Sequence, residues 1–155
     1  MKRTMTRREI HEVYAIMSRS RLNDLKSNDD KTAVLKVLRE FRFVAKNYEE
    51  DAKETAEKLM PDGYAESLQQ AQQYERRRAQ GKTDAADGMT ADEYNEFIAA
   101  HVDYQQQVAK AMADVDQATV ELDFEPISSD VLTELMNTNG WTVDQYFKIE
   151  EVLSI

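Results

Sequence analysis

At 155 residues the chain is long enough to bury one core and too short for a second sizeable one. Apolar residues make up 41% and charged residues 32% of it; with no Cys, a disulfide framework and a thiolate metal site are excluded. Only four Gly and two Pro occur, which argues against a strand-and-turn fold.

The formal net charge is -10, unevenly placed. Residues 1–42 carry eleven Lys/Arg against six Asp/Glu, and residues 83–155 carry two against sixteen. The acidic half weighs against nucleic acid as a partner, while the basic segment leaves a small opening for phosphate. No apolar run is long enough to span a bilayer, and residues 1–17 lack the apolar stretch and cleavage site of a signal peptide. The expectation is a protein of the reducing cytoplasm, away from membranes.

In chain order, Thr6-Arg7-Arg8-Glu9 is a capping box that opens a first helix with Ile10, Val13, Tyr14 and Met17 on one face, extended by Leu22 and Leu25. Residues 27–30 (Ser-Asn-Asp-Asp) stop it and cap the next helix. A second helix is predicted over about 30–60. Its seam of Val34, Leu38, Phe41, Ala45, Tyr48, Ala52, Thr55 and Leu59 follows heptad spacing, and Leu35, Val37 and Val44 widen it. Pro61 and Gly63 break this helix. Residues 64–80 read as a shorter, more exposed helix, and residues 81–88 as a loop open to disorder or nicking.

Thr90 and Glu93 form another capping box ahead of a helix over about 91–118, with a heptad seam of Phe97, His101, Tyr104, Val108, Ala111, Val115 and Ala118. Residues 119–127 (TVELDFEPI) then alternate apolar and acidic, an extended arm for which the chain offers no convincing partner strand. Ser128 or Ser129 caps a short helix through residue 136, ended at Asn139-Gly140, and Thr142 with Gln145 opens a last helix to about residue 153. Trp141, Tyr146, Phe147, Ile149, Val152 and Leu153 are its expected apolar payload. The fold expected is all-α and single-domain: a long antiparallel, coiled-coil-like helical hairpin, a short N-terminal helix, and a small C-terminal helical cap joined by the extended arm.

No residue set points to catalysis, a cofactor or a metal. His101 sits on the heptad seam, where a lone polar residue sets register or partner choice. His11 is expected to face solvent. Glu96, Asp103, Asp114 and Asp116 read as a solvated acidic face: the Glu-x-x-His pattern of di-iron bundles fails because Ala99 follows Glu96. Residues 84–92 do not meet the calcium-loop pattern, and Gly81-Lys82-Thr83 lacks the upstream glycine and strand of a phosphate loop. Arg76, Arg77 and Arg78 form a basic spot beside Tyr74 able to grip a phosphate or an acidic partner, but adjacent helical residues point apart, so the focus is poor and a solvated surface is the default.

The order of parts resembles the small uncharacterised helical proteins of tailed bacteriophages and prophages. The residues that carry this are Val120, Leu122, Phe124, Pro126, Ile127 and Leu132 in the arm and its following helix, then Ile149, Glu150 and Leu153 at the close. The resemblance covers about the last forty residues well and the hairpin in outline; residues 61–88 look like an insertion. It implies a phage or prophage origin and work in the cytoplasm of an infected bacterium. That family brings no established activity with it.

The function expected from these residues is non-enzymatic and made of protein–protein contacts with an unknown partner. The arm is the expected docking element, with Phe124 and Ile127 as anchors and Glu121, Asp123 and Glu125 steering a basic partner. The competing expectation is internal, with the arm clipped to the C-terminal helices and Phe124 in the core. Two further readings stand: a self-assembling, homodimeric morphogenesis factor, for which an exposed Tyr48, Ala52, Ala56 and Leu59 would be the sign, and a nucleic-acid or antidefence role through the basic residues 1–42, a nucleic-acid mimic using the acidic half instead.

Overall fold

The computed structural model describes residues 1–82 and 88–154. The expected loop over 81–88 therefore falls, at 83–87, outside the described residues. The protein is mostly helical, with a small two-stranded sheet. In chain order the elements are β1 (Lys2–Thr6), α1 (Arg7–Arg19), a single 3-10 turn (Leu22–Asp24), α2 (Asn28–Leu59), α3 (Tyr64–Ala79), α4 (Ala91–Gln117), β2 (Thr119–Asp123), α5 (Ser129–Asn139) and α6 (Val143–Leu153). They form two compact units, one of Met1–Ala52 with Ala113–Ile155 and the other of Lys53–Met112; the boundary falls inside α2 and α4.

The helix starts follow local chemistry. Thr6 accepts the Glu9 amide at 3.1 Å while the Glu9 carboxylate takes the Thr6 amide at 3.0 Å. Thr142 and Gln145 repeat this at α6 with 3.1 and 2.9 Å. Ser27 accepts the Asp30 amide at 3.3 Å, so α2 opens two residues earlier than predicted. Gly140, at φ +64°, ends α5, a conformation that L side chains adopt only at a cost.

The first unit is built on a continuous apolar core. Ile10, Val13 and Met17 of α1 meet Val34, Val37, Phe41 and Val44 of α2, and Leu132, Leu135, Ile149 and Leu153 close it from α5 and α6. Trp141 adds its ring to this core and donates its indole N–H to the Ser20 hydroxyl at 3.0 Å.

One expectation is overturned here. The arm does have a partner strand: β1 pairs antiparallel with β2, in register from Lys2 opposite Asp123 to Thr6 opposite Thr119. Met5, Arg3, Val120 and Leu122 face inward, and Thr4, Glu121 and Asp123 face out. A segment with one apolar residue in five carries almost no strand signal, yet Met5 is buried because the far end of the chain covers it.

On α2 the first four seam positions, Val34, Leu38, Phe41 and Ala45, are buried and the last four half-buried, while on α4 the inward spacing departs from the heptad. Met112 is buried and Ala111 exposed, so the inward spacing there becomes Tyr104, Val108, Met112, Val115. That eleven-residue step matches a straight helix of 3.6 residues per turn better than a strict heptad does. Leu35 and Phe147, expected to be buried, lie exposed. In the second unit, Ala71, Tyr74 and Met89 form a small core flanked by Tyr94 and Phe97. His101 stacks on Tyr64 and Phe97 and its Nδ1 lies 2.6 Å from the Tyr64 hydroxyl, so it serves packing as expected. Tyr104 donates to the Ala56 carbonyl oxygen at 2.5 Å, joining α4 to α2.

Candidate protein-interaction surface

The expected docking arm is turned inward. Phe124 is 6% exposed and meets Phe41 edge to face at 5.4 Å and 82°. Ile127 is 4% exposed, and its amide donates to the Leu153 carbonyl oxygen at 2.8 Å. Anchors spent on the chain's own core cannot also fill a partner's pocket, so the docking role for these two side chains is replaced by a packing role. Glu121, Asp123 and Glu125 remain exposed on the outer side. Lys2 pairs with Glu121 at 3.3 Å. The Met1 ammonium, 2.9 Å from Asp123, donates a hydrogen bond to its carboxylate and holds its pKa below the usual range.

Tyr48 and Leu59 are half-buried, as are Ala52 and Ala56, so the exposure that would have signalled a shared seam is absent at these four positions. The Tyr48 ring lies tilted against His11, centroids 4.7 Å apart, and its hydroxyl donates to Asp116 Oδ1 at 2.6 Å. His11 is thus half-buried, with Nε2 3.4 Å from Glu49, rather than open to solvent. Burial, reinforced by the bond to Asp116, pushes the Tyr48 phenol up to about 12. The unfolded value is about 10, so folding favours the neutral phenol. Its stabilisation is complete below about pH 10 and is lost as pH rises through about 12. In an ultraviolet titration one tyrosine should ionise near 12, and Tyr48→Phe should remove that step; its survival in the variant would refute the assignment.

Arg76, Arg77 and Arg78 diverge around α3. Arg76 and Arg78 are exposed, whereas Arg77 lies over Tyr74 at 6.0 Å and donates to the Met89 carbonyl oxygen at 3.3 Å. They form no single basic site. Among the described residues no group of three or more His, Asp or Glu side chains is placed to hold a metal ion. A polar cleft of about 580 Å³ between β1, α1 and α6 holds Arg3, Arg8, Glu12 and Lys148. Its cations are already engaged: Glu12 receives Arg8 at 3.0 Å and Lys148 at 2.9 Å, and Arg3 caps the carbonyl oxygens of Glu151 and Val152.

The surface that is open lies on α2. Spacing of four, three and four places Leu35, Arg39, Arg42 and Lys46 on one stripe, with Phe43 beside it, away from the face that buries Phe41 and Ala45. Phe43 is 72% exposed and Leu35 45%. A groove of about 340 Å³ runs along this stripe, lined by Tyr14 and Ser18 of α1 and by Leu35, Leu38, Arg39 and Arg42 of α2. Lys46 lies over the Tyr14 ring at 6.0 Å and within 3.3 Å of Glu49. Among the described residues, neither Arg39 nor Arg42 has a carboxylate within ion-pair distance. The sequence reading missed this face because Phe43 falls two residues past the seam position Phe41. The available signal was its flanking by Arg39, Arg42 and Lys46 in an acidic chain.

Two other apolar pairs are exposed, Val143 with Phe147 on α6 and Ile98 with Val102 on α4. Among the described residues no helix is long and apolar enough to cross a membrane. No protein-family model, no curated protein and no solved structure matches the chain.

Proposed function

We propose that the protein is a non-enzymatic interaction protein of phage or prophage origin, acting in the bacterial cytoplasm by binding another protein chain through the α1–α2 groove. One observation carries the binding reading: Leu35 and Phe43 stand exposed beside two guanidinium groups that have no carboxylate partner among the described residues. Exposed Phe is a surface worth about 2 kcal/mol once covered, and aromatic and Arg side chains together are the composition of binding hot spots. Phosphate would satisfy the arginines but give Leu35 nothing to pack on, so a protein surface fits both halves of the patch better than nucleic acid. Origin and location rest on the phage-like residues between Val120 and Leu153.

The test is a photo-crosslinking phenylalanine analogue placed at position 43 and, as control, at exposed Gln106, in cells that make the protein. A discrete adduct is expected from position 43 and not from 106, and Arg39→Glu with Arg42→Glu should abolish it. Equal labelling from both positions, or none from 43, would overturn the reading.

A further inference from the structure

The chain carries two exposed surfaces of opposite charge, each framing a pair of apolar side chains. On α2, Leu35 and Phe43 flank Arg39 and Arg42. On α6, Val143 and Phe147 are 57% and 58% exposed, one turn apart, with exposed Asp144 and Glu151 on the flank of the same face. Among the described residues neither of these carboxylates pairs with a cation, because the nearby Lys148 is committed to Glu12. One face is therefore a groove lined by Tyr14, Leu35 and Leu38 together with Arg39, Arg42 and Lys46, with Phe43 exposed beside it, and the other is an amphipathic helix edged by carboxylate. We propose that the occupant of the α1–α2 groove is α6 of a second copy of this chain. The proposal rests on the interaction reading above and names its partner.

Charge decides the pairing. Groove against groove brings Arg39 and Arg42 of both copies together, and α6 against α6 stacks carboxylates; both are repulsive. Groove against α6 seats Phe147 and Val143 beside Leu35 and Phe43, with Asp144 and Glu151 facing the guanidinium groups, in the mode of a helix laid in a groove. Each copy offers both surfaces, so two copies dock reciprocally and close on themselves, or the contact propagates head to tail. One face of an eleven-residue helix is a small contact beside the about 800 Å² per partner of stable complexes. Association is accordingly weak, and making the contact twice favours the closed pair.

The test is light scattering and sedimentation of the purified full chain over about 1 to 300 µM, the range where micromolar association is visible. The mass should rise from 17.9 kDa towards twice that value, and the association should weaken at least tenfold at high salt. Arg39→Glu with Arg42→Glu reverses the groove, and Asp144→Lys with Glu151→Lys reverses the helix; each variant alone should stay monomeric. Mixed in equal amounts they should pair, since the reversed groove of one variant meets the reversed helix of the other, and the native helix of the first meets the native groove of the second. All four positions are exposed, so circular dichroism should be unchanged.

A wild-type monomer at every concentration overturns the inference, and so does a dimer that both reversals leave intact. The crosslinker at position 43 separates this failure from failure of the interaction reading. An adduct to α6 of a second copy supports both. An adduct to a different protein overturns the second-copy inference alone, and no adduct overturns both.

Discussion

Replacing Phe41 by alanine should lower the unfolding free energy by about 4 kcal/mol. The ring has no exposed surface, and it holds the buried face of α2 against Phe124 at 5.4 Å. Two costs add: the lost transfer of a large apolar group out of water, and the cavity left where α2, the arm and the C-terminal helices converge. Trp141 is the only tryptophan and lies in the same core, so its fluorescence in a urea titration reports this unit directly. The midpoint should fall with the slope little changed. A double-mutant cycle of Phe41→Leu with Phe124→Leu should leave a coupling of about 1 kcal/mol for the edge-to-face pair. A loss under about 1 kcal/mol for Phe41→Ala would mean that this ring does not hold the core together.

The second large effect belongs to the sheet. Met5→Asp should destabilise by more than about 3 kcal/mol, because it places a carboxylate opposite Val120 on the buried side, where the inward-facing Arg3 is already committed to the carbonyl oxygens of Glu151 and Val152. Thr4→Lys, one residue earlier, should be neutral or stabilising by about 0.5 kcal/mol, since Thr4 faces solvent directly across from Glu121. The contrast is the measurement. A one-residue slip of register exchanges the two faces of a strand, so a mild Met5→Asp with a severe Thr4→Lys would reverse the register, and two mild effects would remove the strand.

What the sequence revealed depended on how local the signal was. The capping boxes at Thr6 and Thr142 were legible because hydroxyl, amide and carboxylate lie within three residues of one another. The helical class followed from periodicity, and on α2 so did the buried face. Strand β1 was not legible: its only apolar residue is Met5, and its partner lies more than a hundred residues away. The arm's alternation correctly gave an extended segment. Alternation states that Phe124 and Ile127 bury themselves in something, however, and only the three-dimensional arrangement shows that the something is the chain's own core. On α4 the strict heptad placed Ala111 inward where the untwisted helix turns Met112 there. The candidate site was half-written: the basic residues around it were visible as charge, but Phe43 itself carries no outward mark beyond its flanking by Arg39, Arg42 and Lys46.

The division of the chain into a continuous unit, Lys53–Met112, and a discontinuous one has a consequence for how the protein is made. On the ribosome, α1 and most of α2 emerge first, with Ile10, Val34 and Phe41 uncovered. At roughly 5–20 residues per second, the next sixty or so residues take several seconds to arrive. Closing a loop of that length costs on the order of 4 kcal/mol of chain entropy. The intervening segment can fold earlier, and the bond from Tyr104 to the Ala56 carbonyl oxygen ties its two ends together, which shortens the effective loop. The early apolar faces thus wait for β2 and Phe124 to be synthesised, and the nascent chain is most exposed to chaperones and proteases in that interval.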